Sequence, residues 1–375
     1  MAASAWREAA LAWRNRLLAN PRFQQWAADF PLTRPVARRR TEGLFDLVAG
    51  FVYSQTLFAC VRLGLFERLA DGPKTAAALA ESLGLPLDAA ERLLSASVAL
   101  QLVDRLGFDR FGSARYTLGP HGAAVLGNAG LAEMIDHHSH LYADLADTVG
   151  LLKRGRGSLA GYWPYATSAA PDSEGAEGVA AYSRLMASTQ PAVAADVLHA
   201  YPLGRHRRLL DVGGGEGAFL AAAGTHAPRL ELMLFDLPAV AERAKARLCR
   251  AGLLGRTNIH AGDFLTDPLP RGADLISLVR ILHDHDEKGA LALLSKARAA
   301  LPADGTLLIA EPMAGDRGGN RLSDVYFAFY LLAMGRGRAR TPRELFGLLR
   351  TAGFSRMRRL RTRNPFLLRA IVAQP

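Results

Sequence analysis

Two stretches carry side chains whose types and spacing could do chemistry. In "LVRILHDHDE", residues 278–287, an apolar run breaks into His283, Asp284, His285, Asp286 and Glu287. Three readings suit this pattern. In a strand-like geometry His283 and His285 point the same way and could begin a metal site, which still needs a third protein ligand and an open position. A histidine beside acids could instead be a general base, since its ordinary pKa of about 6.5 lies near neutrality. The acids could also simply cap the next helix. No H-x-x-x-H or C-x-x-C element stands nearby to complete a metal site.

The second stretch, "LLDVGGGEGAFL", reads as a buried strand, a glycine turn and a helix start. Glycine is needed where the chain turns with positive φ or must touch a ligand with its backbone, and helix N-terminal amides face the bound molecule. Gly213, Gly215 and Ala218 satisfy G-x-G-x-x-G/A, so the turn alone leaves NAD and S-adenosylmethionine level. Later residues separate them by their order. Asp236 ends the next strand in "LFDLP", where it can accept from ribose hydroxyls of either cofactor. Asp263 and Phe264 follow the third strand in "AGDF", an acid and an apolar face suited to an adenine amino group and ring. Preceded by Asp211, this is the methyltransferase arrangement; the competing view is that these acids only cap helices.

These residues need elements to position them. After Arg205, short apolar strands ("RLLDVGG", "LELMLFDLP", "TNIHAGDF", "ADLISLV", "GTLLIAEP") alternate with amphipathic helices, which predicts an α/β, doubly wound parallel sheet. "GFSRMRRLRTR" and "PFLLRAIVAQ" are expected as two further edge strands. Residues 41–126 are helical in period and end in "FDRFGSARYTLGP", a two-stranded wing around Gly112, so a winged-helix module is expected. A helix reading DNA bases should be rich in Arg, Lys, Asn or Gln. Here it offers Asp88, Glu91, Arg92 and Ser95, so no nucleic-acid partner is expected. Residues 127–200 predict connecting helices rich in His, aromatic and Met side chains, suited to a core or to the wall of a pocket for a large apolar ligand. In residues 5–30, Trp6, Ala10, Trp13 and Leu17 recur at helical spacing with Arg7, Arg14 and Arg16 between them, an amphipathic helix for a partner subunit or a membrane surface. Pro31 and Pro35 are expected to stop it, leaving "RPVARRR" as a linker and residues 1–40 as a separate segment. The catalytic domain is expected over 201–375.

Composition narrows the setting. The net charge of +11 is mostly arginine, with only five lysines among 46 basic residues, which permits contact with anionic surfaces but equally reflects a coding bias. Two distant cysteines, Cys60 and Cys249, point to free thiols in a reducing compartment. No window approaches the ~20 uninterrupted apolar residues of a membrane span, and the arginine-studded N-terminus is not built as a signal peptide, so a cytoplasmic location is expected.

The run DVGGGEG, FDLP, GDF, LVRILHDHD and IAEP behind a winged-helix module resembles the plant-type O-methyltransferase family. "EGLFDLVAGFVYSQ", "GYWPY", "YSRLMAS" and "SDVYFAFYLLAMGRGRART" resemble its carotenoid branch in purple phototrophic bacteria, which methylates hydroxyneurosporene and demethylspheroidene. The resemblance implies a winged-helix dimerisation domain, a Rossmann-like class I methyltransferase domain, S-adenosylmethionine as cofactor, a homodimer and no metal. It implies cofactor contacts at Gly213, Asp236, Asp263 and Phe264, with Arg280 where many members have lysine. Asp211 and Gly215 join this set from the turn itself. His283 matches the family's base and Glu311 an acid that orients it. Where phenol-methylating members have a second acid, this chain has Ala339, ahead of Arg340 and Thr341.

The branch implies methyl transfer to the tertiary 1-hydroxyl of an acyclic carotenoid; a phenol or polyketide O-methyltransferase is the alternative, and a tetrapyrrole C-methyltransferase or a ligand-sensing DNA-binding protein lies further off. A long membrane-dissolved polyene needs an apolar tunnel and access to a bilayer. Trp163, Tyr165, Tyr182, Met186, Tyr326, Phe327, Phe329, Tyr330 and Met334 are the candidates for that tunnel, and peripheral contact with the photosynthetic membrane is expected.

Overall fold

The computed structural model describes residues 2–108, 112–162, 176–315, 322–365 and 367–375. The chain divides into two compact units, Met1–Gly127 and Asn128–Pro375.

The first unit opens with α1 (Ala2–Ala19), α2 (Pro21–Asp29) and α3 (Arg34–Arg62). The expected single helix over 5–30 is broken at Asn20, whose Oδ1 accepts from the N–H groups of Arg22 and Phe23 at 2.9 and 3.3 Å and so starts a new helix. Residues 34–40, expected as a linker, are the first two turns of α3. Pro35 stands in its opening turn, where a proline's missing N–H has no helical partner to lose, so the residue read as a stop is a start. At 29 residues, α3 is long and apolar enough to cross a membrane by length and composition, which the sequence reading did not anticipate. Its Leu44, Phe45, Leu47, Val48 and Phe51 are all more than 60% exposed within this single chain.

Further along, β1 (Lys74–Thr75), β2 (Val103–Phe108) and β3 (Ala114–Leu118) form an antiparallel sheet in the order β1-β3-β2, one strand more than the expected wing. On the helix Leu87–Ala99, Arg92 pairs with Asp88 at 2.9 Å, one turn away on an exposed face.

In the second unit seven strands pair among the described residues: β4 (Arg208–Val212), β5 (Glu231–Asp236), β6 (Thr257–Ala261), β7 (Leu275–Val279), β8 (Thr306–Glu311), β9 (Arg356–Leu360) and β10 (Arg369–Gln374). Their order is β6-β5-β4-β7-β8-β10-β9, parallel from β6 to β8. β10 inserts antiparallel between β8 and β9, so only β9 of the two final strands is an edge. Burial explains this: Ala370 to Ala373 are apolar and buried on both faces, whereas "RMRRL" of β9 leaves all three of its arginines exposed.

Alternation along each strand sends side chains to opposite faces. Leu210, Met233, Ile276, Leu307 and Ile371 face one layer, with the helices Glu287–Ala300 and Pro342–Thr351. Leu209, Leu232, Leu275, Leu308 and Val372 face the other, with Ala176–Ala200, Ala218–His226 and Pro238–Arg250. A third cluster joins Leu141, Leu151 and Leu159 to Tyr330, Leu331 and Met334. The chain winds β4, β5, β6 in one direction and then crosses to β7 and β8, which makes the carboxyl end of β4 a topological switch point, where ligands of such sheets bind.

Candidate active site

Every strand from β4 to β8 delivers a predicted residue to this end of the sheet. Gly213 follows β4 with φ +66°, and its N–H continues the ladder to Phe235 O at 2.8 Å. An added Cβ would lie 2.6 Å from Ile281 Cδ1 and 3.5 Å from Phe264, so the turn, the "AGDF" loop and the "LVRIL" segment meet at one point. Gly215, at φ +59°, has open space where its side chain would be. Its N–H donates to Asp236 Oδ2 at 2.7 Å, while Asp236 Oδ1 accepts from Leu237 N–H. Burial pushes Asp236 up to about 6. Behind the turn Asp211 accepts from Ser277 Oγ at 2.6 Å, its Oδ2 has no partner among the described residues, and burial pushes it up to about 7.

Asp263 is half-buried and also closes its own loop, accepting from Leu265 N–H at 2.8 Å. Lys296 holds that loop from the helix Glu287–Ala300, donating to the carbonyls of Phe264, Leu265 and Asp267 at 2.8 to 2.9 Å. A backbone turn with open space, a buried carboxylate beside it and an aromatic face beyond suit a nucleoside held by its ribose and base. Gly213, Gly215, Asp236, Asp263 and Phe264 are the residues that would hold it.

The motif after β7 turns out to be a 3-10 turn over Leu282–Asp284, not a strand, so His283 and His285 diverge. His285 stacks edge-on against Phe264 at 5.3 Å between ring centres, and burial together with the neighbouring charges of His283, Arg336 and Arg340 pushes it down to about 4. Asp286 caps the following helix through Gly289 N–H at 2.7 Å. Among the described residues no group of three or more His, Cys, Asp or Glu is arranged to hold a metal ion.

His283 is buried between two carboxylates. Its Nε2 lies 3.1 Å from Asp284 Oδ1 and its Nδ1 3.5 Å from Glu311 Oε2 on β8. Glu311, fully buried, also accepts the His283 backbone N–H at 3.1 Å. Burial alone would lower the imidazole pKa; the charge of Asp284 and then the contact with Glu311 outweigh it, so the pKa is raised above 6.5. Asp284 itself is pushed up to about 6 by burial.

Arg340, fully buried, spans this turn, with Nη1 on Leu282 O and Nη2 on His285 O, each at 2.7 Å. At Gly337, φ +80°, an added Cβ would sit 2.2 Å from His283 O, so the "GRGRART" segment lies directly on the turn. Arg280 holds an uncommon left-handed conformation, φ +61°, and donates to Thr189 Oγ1 at 2.9 Å on the helix Ala176–Ala200.

Of the predicted pocket residues, Tyr326, Phe327 and Tyr330 come together and reach the histidine. Phe327 packs its ring 6.2 Å from that of His283, and the Tyr326 and Tyr330 rings stack at 5.6 Å. Tyr326 ends a π-helical turn, Leu322–Tyr326, a feature frequent at functional sites. Phe329 and Met334 belong to the same apolar cluster, and Met186 lies half-buried one turn before Thr189. Trp163 and Tyr165 lie outside the described residues, as does the Tyr182 side chain. Two histidines of the His-rich segment within residues 127–200 complete the wall: His138 bonds Tyr326 Oη at 2.8 Å and His137 bonds Tyr330 Oη at 3.0 Å. Burial keeps both neutral, pushing His137 down to about 4 and lowering His138; it raises Tyr326 well above the ordinary phenol range. The roles of Lys296 and Arg340 were likewise missed, because nothing in local spacing shows which backbone a lysine or arginine will reach.

A seven-stranded sheet of this order, with a glycine turn after β4 and acids at the end of β5 and after β6, defines a Rossmann-like S-adenosylmethionine-dependent methyltransferase domain. Two family models match the chain: an O-methyltransferase domain over residues 142–355 and an O-methyltransferase dimerisation domain over 45–128. The chain is 45% identical over 359 residues to the demethylspheroidene O-methyltransferase of Cereibacter sphaeroides, covering 96% of this chain and 93% of that one. It is 41% identical to the protein so named in Rhodobacter capsulatus, covering 96% and 88%. Human N-acetylserotonin methyltransferase, solved in complex with S-adenosylmethionine, superposes with a TM-score of 0.75 at 26% identity, covering 89% of this chain and 97% of that one. The chain therefore belongs to the O-methyltransferase family with an N-terminal dimerisation domain, and it is an S-adenosylmethionine-dependent O-methyltransferase.

Proposed function

We propose that the acceptor is the tertiary 1-hydroxyl of an acyclic carotenoid, of the hydroxyneurosporene or demethylspheroidene type, in spheroidene- or spirilloxanthin-type biosynthesis. The observation that carries this reading is the apolar and aromatic wall at His283, in a chain 45% identical to a demethylspheroidene O-methyltransferase over nearly its whole length. The polar atoms in that wall are neutral His–Tyr pairs, compatible with an uncharged polyene carrying one hydroxyl.

Bound S-adenosylmethionine supplies a methyl group on a positively charged sulfur. Asp236 would hold the ribose hydroxyls, and Asp263 with Phe264 would hold the adenine. His283 is the group that receives the acceptor proton, its imidazole held with Nδ1 toward Glu311 and Nε2 toward Asp284. A tertiary alcohol is a far weaker acid than a phenol, so imidazole can take its proton only as the new C–O bond forms. Orientation then supplies more of the rate than basicity. This reading tolerates Ala339 in place of a second acid, with Asp284 already beside the ring.

The matched dimerisation domain supports a homodimer in which the exposed apolar residues of α3 from Phe45 onward meet a second copy. A cytoplasmic enzyme working at the surface of the photosynthetic membrane accords with a membrane-dissolved acceptor.

The test is transfer of labelled methyl from S-adenosylmethionine to 1-hydroxy carotenoids in detergent, beside simple phenols. Label in the carotenoid is the expected result; label in phenols alone would overturn this acceptor.

A further inference from the structure

The first 40 residues stand apart from the matched domains, which begin at residue 45. They hold eight arginines (7, 14, 16, 22, 34, 38, 39 and 40) against two acids, Glu8 and Asp29, a net +6 of the chain's +11. They also hold three of its four tryptophans, and these are not buried: Trp6, Trp13 and Trp26 are 76%, 63% and 51% exposed. At about 100° per residue, Trp6, Trp13 and Leu17 fall within roughly 20° of one line along α1. Arg7 and Arg14 lie roughly 80–100° to one side of that line and Arg16 roughly 80° to the other. On α2, Trp26 stacks on Phe30 at 5.2 Å and tilts against Phe23 at 5.6 Å, an aromatic group with Leu32 beyond it 80% exposed.

We propose that α1, α2 and the arginine-rich start of α3 form a docking surface for an anionic lipid bilayer. Indole rings favour the headgroup level, where one end is apolar and the other wet, and flanking arginines reach out to lipid phosphates. Charge selects among occupants. A second copy of this segment would set +6 against +6, which opposes pairing, whereas an anionic leaflet complements it. Duplex nucleic acid would meet the charge but, with its bases already stacked, leave the tryptophan line without an apolar partner. The choice of lipid is strengthened by the acceptor reading above, because a membrane-dissolved polyene must be taken from a bilayer.

The test uses the full chain, cofactor-bound and without acceptor, in co-sedimentation with phosphatidylglycerol vesicles and, separately, phosphatidylcholine vesicles. Partition at least tenfold stronger onto phosphatidylglycerol, falling with added salt, is expected. Trp6→Ser, Trp13→Ser and Trp26→Ser combined should abolish it, and each of Arg7→Gln, Arg14→Gln and Arg16→Gln should weaken it about fivefold. Methyl transfer to acceptor in detergent should be unchanged in all of them, which excludes misfolding. Equal partition onto both vesicles, or none, would overturn the surface, and so would a triple tryptophan variant that keeps its partition. If the wild type binds no vesicle and the triple variant is monomeric by sedimentation velocity, the surface belongs to a second copy. Vesicle binding by a protein that methylates no carotenoid would sink the acceptor reading and leave this surface standing.

Discussion

Glu311 holds His283 twice: Oε2 accepts the backbone N–H at 3.1 Å and lies 3.5 Å from Nδ1 of the same residue's ring. One buried carboxylate thus sets both where the turn begins and how its imidazole is oriented. Because Asp284 and Glu311 favour the protonated ring, the rate should rise with pH through a midpoint above 6.5, the neutral base being the active form. Glu311→Gln removes a charge that stabilises imidazolium, so the midpoint should move to lower pH while kcat falls roughly tenfold. His283→Ala should lose about 10²-fold in kcat. An Ala variant within threefold of wild type would mean that orientation alone carries the reaction.

Arg340 acts on the same turn from outside the reacting groups. Its two terminal nitrogens meet two carbonyls that flank His283, a fork that one ammonium cannot reproduce. Arg340→Lys should lower kcat roughly tenfold with the KM for S-adenosylmethionine unchanged. Arg340→Ala should also destabilise the protein by about 2–4 kcal/mol, since two carbonyls lose their donor. Chemical denaturation and steady-state kinetics together check both halves.

Cofactor affinity should report on Asp236 by titration calorimetry. Asp236→Ala should raise the Kd for S-adenosylmethionine about 10- to 100-fold, the range for hydrogen bonds to a charged group. Affinity should also weaken as pH falls through about 6, where the carboxylate takes up its proton and loses an acceptor.

Gly213→Ala meets both a left-handed backbone and Ile281 at 2.6 Å, whereas Gly215→Ala meets only the backbone term. The first should lose cofactor binding by at least tenfold more than the second.

Tyr326→Phe removes the hydroxyl bonded to His138 while keeping the ring stacked on Tyr330. The KM for the acceptor should rise about fivefold, as for the loss of one hydrogen bond, with the KM for S-adenosylmethionine unmoved. Equal changes in both constants would place Tyr326 outside the acceptor pocket.

The parallel strands of the second unit, from β4 to β8, are written in the sequence. Apolar runs such as "LISLV" are buried on both faces and can only be inner strands, and glycines at 213 and 215 mark a turn that few other residues could make. The acids at 211, 236 and 263 were legible because each stands at or just past the carboxyl end of its strand. Local signals failed where two tendencies compete. Pro35 could end or begin a helix, and only the α3 backbone decides. The antiparallel insertion of β10 depends on pairing with β8, about 60 residues upstream. "LVRILHDHDE" divides its roles residue by residue: His283 lies between carboxylates, His285 packs on Phe264, and Asp286 caps a helix. Tertiary structure alone distributed those roles, because the 3-10 turn that separates the two histidines is held by Glu311 and Arg340, residues far along the chain whose reach no spacing rule encodes.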